Sequence, residues 1–290
     1  MTASSMADSI AIGLRALAFI AALQAAGASL FLSLFAEDLE HAGAAVRSFA
    51  GRTAAAAALI VVAHQLVEPA RLTGDLSGVL DGSLQAVLLA SDIGTTTSIR
   101  ILGLALILIG GVANGRASGL VALAGSTLVA VSFALMGHTA AADERWILAP
   151  VLFLHLFIVA FWFGALWPLH LATRLESAGT AARVVERFSR LAVWWVPALF
   201  LAGVVMAAVL LPDLAALATP YGMLLWVKVS GFALLMGLAS VNKWRLGPRI
   251  GRGQDSAARL LRVSLSAEWL IIAAVLAVTA VMTGLYSPSH

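Results

Sequence analysis

The stretch LAPVLFLHLFIVAFWFGALWPLHL, residues 148–171, contains no Asp, Glu, Lys or Arg, and its only ionisable groups are two imidazoles. A helical membrane crossing takes about 20 mostly apolar residues, so this segment reads as a transmembrane span. Seven further stretches of the same kind surround it, at residues 9–35, 47–67, 98–114, 118–136, 190–211, 221–242 and 262–285. The third and fourth spans are short and meet at a tight turn around Asn114, Gly115 and Arg116. No Lys or Arg precedes the first apolar run, which is long enough to span, so it is read as a helix rather than a cleaved signal. The sequence therefore predicts an all-α, polytopic membrane bundle of about eight transmembrane helices. Composition agrees: 61% of the 290 residues are hydrophobic and 11% charged, whereas soluble domains carry about a quarter charged residues.

Orientation follows from the basic residues, because short cytoplasmic loops collect Lys and Arg. The connections on one side hold Arg47, Arg52, Arg116, Arg174, Arg183, Arg187, Lys243, Arg249 and Arg259 among others, and the opposite side holds only Arg71, Arg100 and Arg145. Both termini are thus predicted to face outward. The net charge of +3 is a mark of topology and gives no reason to expect nucleic acid. The chain divides into two four-helix halves, 1–136 and 137–290. The first carries an acidic outer connection from Glu68 to Ser98, with Asp75, Asp81, Asp92 and a short amphipathic piece (Val79, Leu80, Leu84, Val87, Leu88) that lies on the membrane surface or caps the bundle.

There is no cysteine, which removes disulfides, thiolate metal sites and thiol nucleophiles. Any soft-metal site must use His and Met, and on the predicted topology these gather toward the outer face. His64 falls at the outer end of the second span, Met136 and His138 at that of the fourth, and His155 in the outer third of the fifth. Met206, Met223 and Met282 lie in the outer halves of the last three spans. Only His41, His170 and Met236 lie toward the cytoplasm.

Spacing sharpens some of these. His64, Glu68 and Arg71 follow at steps of four and three, so they share one helix face. A carboxylate beside a histidine is the usual device for fixing a metal ligand's tautomer; the bland alternative is an ion pair at the membrane boundary with His64 packed below it. His155 lies within its span, where an unpaired ionisable group is costly and marks a functional site by default; a neutral imidazole hydrogen-bonded to a neighbouring helix is the plain alternative. Trp162 sits two turns further along the same face. Lys228 either snorkels to the outer surface or pairs with Glu68 or an anionic cofactor group. Methionine also packs membrane cores for its flexibility alone. Glu268, midway along the eighth span, is a relay or pairs with an unidentified partner. No phosphate-binding Gly-rich loop, His-Glu-x-x-His or Gly-x-Ser-x-Gly motif occurs, so nucleotide-driven pumping and familiar hydrolase chemistry lack support.

Gly137-His138, the run LHLFIVAFWFGALWPL (154–169), ERFSRLA (186–192), YGMLLWVKVSGFALL (221–235) and NKWRLGP (242–248) together resemble the CopD copper-resistance membrane proteins. The matching positions are His138, His155, Trp162, Phe188, Ser189 and Lys228. The resemblance implies a bacterial inner-membrane protein of copper import or homeostasis that takes copper, Cu(I) or Cu(II), from the periplasmic side, often with a separate periplasmic CopC-type copper-binding partner. It implies no enzymatic step. Thioether favours Cu(I), and imidazole accepts either state, so His138, His155, His64, Met136, Met206, Met223 and Met282 are the expected ligands, with Glu68, Arg71 and Trp162 supporting them. A second reading is a b-type haem protein with His64 and His155 as axial ligands and Lys228 near a propionate, hence an oxidoreductase. A third is a structural subunit of a membrane complex.

Overall fold

A computed structural model describes residues 6–112, 116–136 and 143–286. Eight helices in it are long and apolar enough to cross a membrane. In chain order the helices are α1 (Met6–Phe35), α2 (Gly43–Thr73), α3 (Gly82–Leu89), α4 (Asp92–Val112), α5 (Arg116–Ala134), α6 (Arg145–Leu175), α7 (Ala178–Leu210), α8 (Pro220–Val241), the short α9 (Gly247–Gly251) and α10 (Asp255–Leu285). All but α3 and α9 are the predicted spans. No strand occurs among the described residues. Several helices outrun the apolar stretches that predict them: α2, α6 and α10 each have 31 residues, about 46 Å at 1.5 Å per residue. Their ends project beyond a hydrocarbon layer about 30 Å thick.

The ends are set by local chemistry. Gly74, at φ +74°, takes the left-handed conformation that closes α2. Asp75 accepts the Ser77 backbone N–H, and Asp81 accepts the Ser83 hydroxyl together with the backbone N–H groups of Leu84 and Ser83, which holds both carboxyls below their ordinary value. They start the 3-10 turn Leu76–Leu80 and α3, the amphipathic piece expected between the second and third spans. Only Leu88 of its apolar residues is buried, and Leu80 and Val87 are exposed. Ser177 caps α7, and Thr219 caps α8 with Pro220 in its first turn.

α1 occupies the centre. From Ala22 to Phe31 every residue is buried, as expected of a helix covered all round. It packs against α2, α4, α5, α6 and α10, so it serves helices of both halves of the chain. Small residues permit this. Gly27 of α1 crosses Gly164 of α6 so closely that a Cβ on Gly27 would stand 1.6 Å from the Ala160 carbonyl oxygen. α4 and α5 cross in the same way at Gly103 and Gly125, the close approach that small residues give membrane helices. Polar links secure the centre: Gln24 donates to the Gly164 carbonyl and accepts from the Trp269 indole, and Ser126 donates to the Ala26 carbonyl. α7 and α8 lie at the periphery with little of their length buried.

Both ends of the described chain lie at the same end of the bundle, since Arg15 and Arg71 reach the carbonyls of Thr283 and Gly284. We call this the terminal end. At the opposite end, Asp38 pairs with Arg187, and Glu176 sits over the start of α2, accepting the N–H groups of His41 and Ala42 at 2.8 and 2.7 Å. Burial alone raises the Glu176 carboxyl, but those two N–H bonds and the His41 ring outweigh it and hold it below its ordinary 4.5. A depressed folded value means the stabilisation is complete above 4.5 and disappears as pH falls through the folded value. Glu176→Gln therefore lowers the thermal midpoint at neutral pH, and the gap from wild type closes on acidification. Thermal unfolding in detergent across a pH series measures it; a gap that stays constant to low pH would show that the carboxylate charge plays no part.

Candidate metal centre

The residues singled out above fall into separate environments. At the terminal end, the face shared by His64, Glu68 and Arg71 turns inward onto α1. Glu68, 5% exposed, lies 3.6 Å from Arg15 of α1, 3.5 Å from Arg71 and 3.2 Å from Nε2 of His64. Arg71 also approaches Asp8 at 3.6 Å. The His64 contact is close but poorly aligned, so its Nε2 is buried without a proper hydrogen bond. Arg100, two turns into α4, completes the surroundings: it donates to Ser132 at 3.0 Å and lies over the Phe133 ring. The expected carboxylate–histidine contact forms, but Glu68 answers to two guanidiniums as well. Lys228 makes no ion pair with Glu68 among the described residues.

The part played by Arg15 and Asp8 escapes a reading of helix 2 alone. The signal for it is Arg15 itself, six residues into the apolar span 9–35, where a cation needs a partner.

His155 lies between α6 and α7. Its ring faces the Leu199 carbonyl and lies beside Gly203, with Lys228 of α8 in electrostatic reach. Its Nδ1 is buried and has no partner. Leu199, Gly203 and Met206 follow at steps of four and three, so Met206 shares the α7 face that meets His155.

The methionines are dispersed: Met282 is buried in α10, Met136 half-buried at the end of α5, and Met223 is 61% exposed on α8 and points away from the bundle. His138 lies outside the described residues. Trp162 donates its indole N–H to Glu268 at 3.4 Å, so it supports that carboxyl and not His155. At the end opposite the termini, Glu40, His41 and Glu176 bring three ligand-type atoms within 4.8 Å of one another. Two of those residues are exposed, and Glu176 is already engaged in capping α2. No sequence signal joins His41 to Glu176, 135 residues apart.

Fold and site together define a multi-pass helical membrane protein with imidazoles inside the bundle and no thiolates. The chain belongs to the copper resistance protein D family: residues 6–149 match the Copper resistance protein D-like, N-terminal domain, and residues 182–282 match Copper resistance protein D. It is 34% identical over 128 residues to a Copper resistance protein D from Pseudomonas syringae pv. tomato, an overlap of 40% of this chain and 41% of that protein. The chain thus spans about two fifths of that curated relative's length. No solved structure matches.

Proposed function

We propose that this protein takes copper from the periplasmic side of the bacterial inner membrane, holds it on His155 with Met206 beside it, and passes it inward. The buried, unpartnered Nδ1 of His155 carries this reading. An imidazole nitrogen buried without a hydrogen-bond partner is free to bind a metal, and the Leu199 carbonyl lies beside the ring. A neighbouring thioether favours Cu(I). The terminal end is the periplasmic one in this account, because the opposite end carries the bulk of the arginines. His64, braced by Glu68, is a second imidazole at that end, and His138 belongs with His155 as a receiving group. Copper leaves as it arrives, so the protein is a carrier and not an enzyme. A separate CopC-type protein is the expected donor.

The test is copper and iron per chain in detergent-purified protein from copper-supplemented cells, followed by copper titration. His155→Ala weakens copper binding by more than the roughly 10–100-fold that loss of a mere supporting group costs a metal site. His64→Ala has the smaller effect. Unchanged copper in His155→Ala sinks the proposal, and iron with a Soret band in place of copper turns the account to haem.

A further inference from the structure

One buried ionisable group has no place in the copper path described above. Glu268 of α10, 2% exposed, lies near the middle of its span. It accepts the indole N–H of Trp162 on α6 and the amide N–H of Asn242. None of the ion pairs among the described residues includes it. Charges inside a membrane protein ordinarily pair with one another or mark proton and ion pathways.

Asn242 is placed by an unusual piece of backbone. Residues Asn242–Leu246 form a π-helical turn between α8 and α9, closed by the Gly247 N–H bonding to the Asn242 carbonyl. Pro248 follows and has no N–H to continue the ordinary ladder. Such π segments recur at functional sites. The turn carries Asn242 into the interior, where its Oδ1 is buried without a donor. A primary amide has a donor end and an acceptor end, and only the donor end is used here. Rotating the amide by half a turn presents Oδ1 to Glu268, and the only hydrogen bond then available is one donated by a protonated carboxyl. The pair thus has two hydrogen-bonded arrangements, one per protonation state: carboxylate accepting from Nδ2, and carboxylic acid donating to Oδ1.

The surroundings leave the proton as the controlling charge. On α6 the nearest titratable groups are His155 and His170, seven residues before Trp162 and eight after it. α1 presents neutral Gln24, with Arg15 nine residues away, and the nearest titratable group of α8, Lys228, lies fourteen residues before Asn242. Next to Asn242, Lys243 is half-exposed and Arg245 exposed; Arg249 of α9 is exposed as well. On α10 itself the nearest cation is Arg262, which donates to the Thr173 carbonyl.

We propose that Glu268 is a proton-binding site in the middle of the membrane, switched by rotation of the Asn242 amide, and that it gives up its proton as copper passes. The step is a simple exchange in which the carboxyl O–H breaks, the proton leaves to water and the carboxylate remains. One proton released per singly charged copper ion admitted keeps the charge of the low-dielectric interior constant. This coupling rests on the copper reading, whereas the proton site does not.

Infrared spectroscopy of the purified full chain in detergent, titrated with pH, tests the site without copper. A protonated-carboxyl C=O band that titrates in wild type, is lost in Glu268→Gln and shifts in Asn242→Leu is the expected result. Absence of any such band assignable to Glu268 overturns the site. In proteoliposomes, wild-type copper uptake follows a one-proton dependence, about tenfold per pH unit on its limiting limb, and Glu268→Gln flattens it. Parallel profiles in the two proteins overturn the coupling. Failure of wild type to take up copper at any pH overturns the copper reading and the coupling together, and leaves the infrared result to decide the proton site.

Discussion

Gly27→Val yields almost no monodisperse protein in detergent, whereas Gly13→Ala is indistinguishable from wild type. A Cβ at Gly27 would stand 1.6 Å from the Ala160 carbonyl oxygen and 2.7 Å from the Gly164 Cα, both backbone atoms that cannot swing aside. Accommodating it means separating α1 from α6. Ordinary overpacking by a side chain that can adjust costs about 1–3 kcal/mol. Here the obstruction is main chain, and separation also breaks the Gln24 bond to the Gly164 carbonyl, so the loss exceeds that range. At Gly13 nothing lies within 4 Å of the added atom. Size-exclusion yield and thermal midpoint measure the contrast. A well-folded Gly27→Val protein would mean that α1 and α6 do not cross at this point.

Glu68→Ala has the second large effect. Removing one member of a buried ion pair costs about 3–5 kcal/mol, because the partner charge stays behind uncompensated. Glu68 is flanked by Arg15 and Arg71, and Arg15 has no other carboxylate among the described ion pairs. Thermal unfolding should show a drop in that range, softened in Glu68→Gln, which keeps an acceptor oxygen for the guanidiniums. Asp8→Ala serves as the comparison, since its contact to Arg71 is partly exposed on both sides, and exposed pairs contribute about 0–1 kcal/mol. Equal effects from Glu68→Ala and Asp8→Ala would show that Glu68 is not the keystone of this cluster.

The eight spans were legible because hydropathy integrates over some twenty residues, and water and hydrocarbon differ strongly along the whole segment. The steps from His64 to Glu68 to Arg71 were legible for a related reason: helical geometry converts short spacings into contacts. What lies between helices was not. The hydropathy of α1 is no higher than that of α7, yet α1 is enclosed and α7 faces outward, because the difference lies in small residues matched across a crossing. Glu268 was visible as an intramembrane carboxyl, but its Asn242 partner required a π turn that no apolar period announces. Met223 and Met282 look alike by depth, and only rotation about their helix axes separates the exposed one from the buried one.

The enclosure of α1 also bears on how the chain is made. α1 precedes α6 and α10 in the sequence, so it is inserted well before the helices that finally cover it. Until they follow, Arg15, Gln24 and Ser29 are surrounded by lipid or by the insertion machinery, and the Glu68 carboxylate can shelter only the first of them. Biogenesis is therefore not a sequence of independent insertions. The ribosome must deliver residue 269 before the Gln24 amide receives its indole donor, and a nascent chain halted before α10 should be a substrate for membrane quality control.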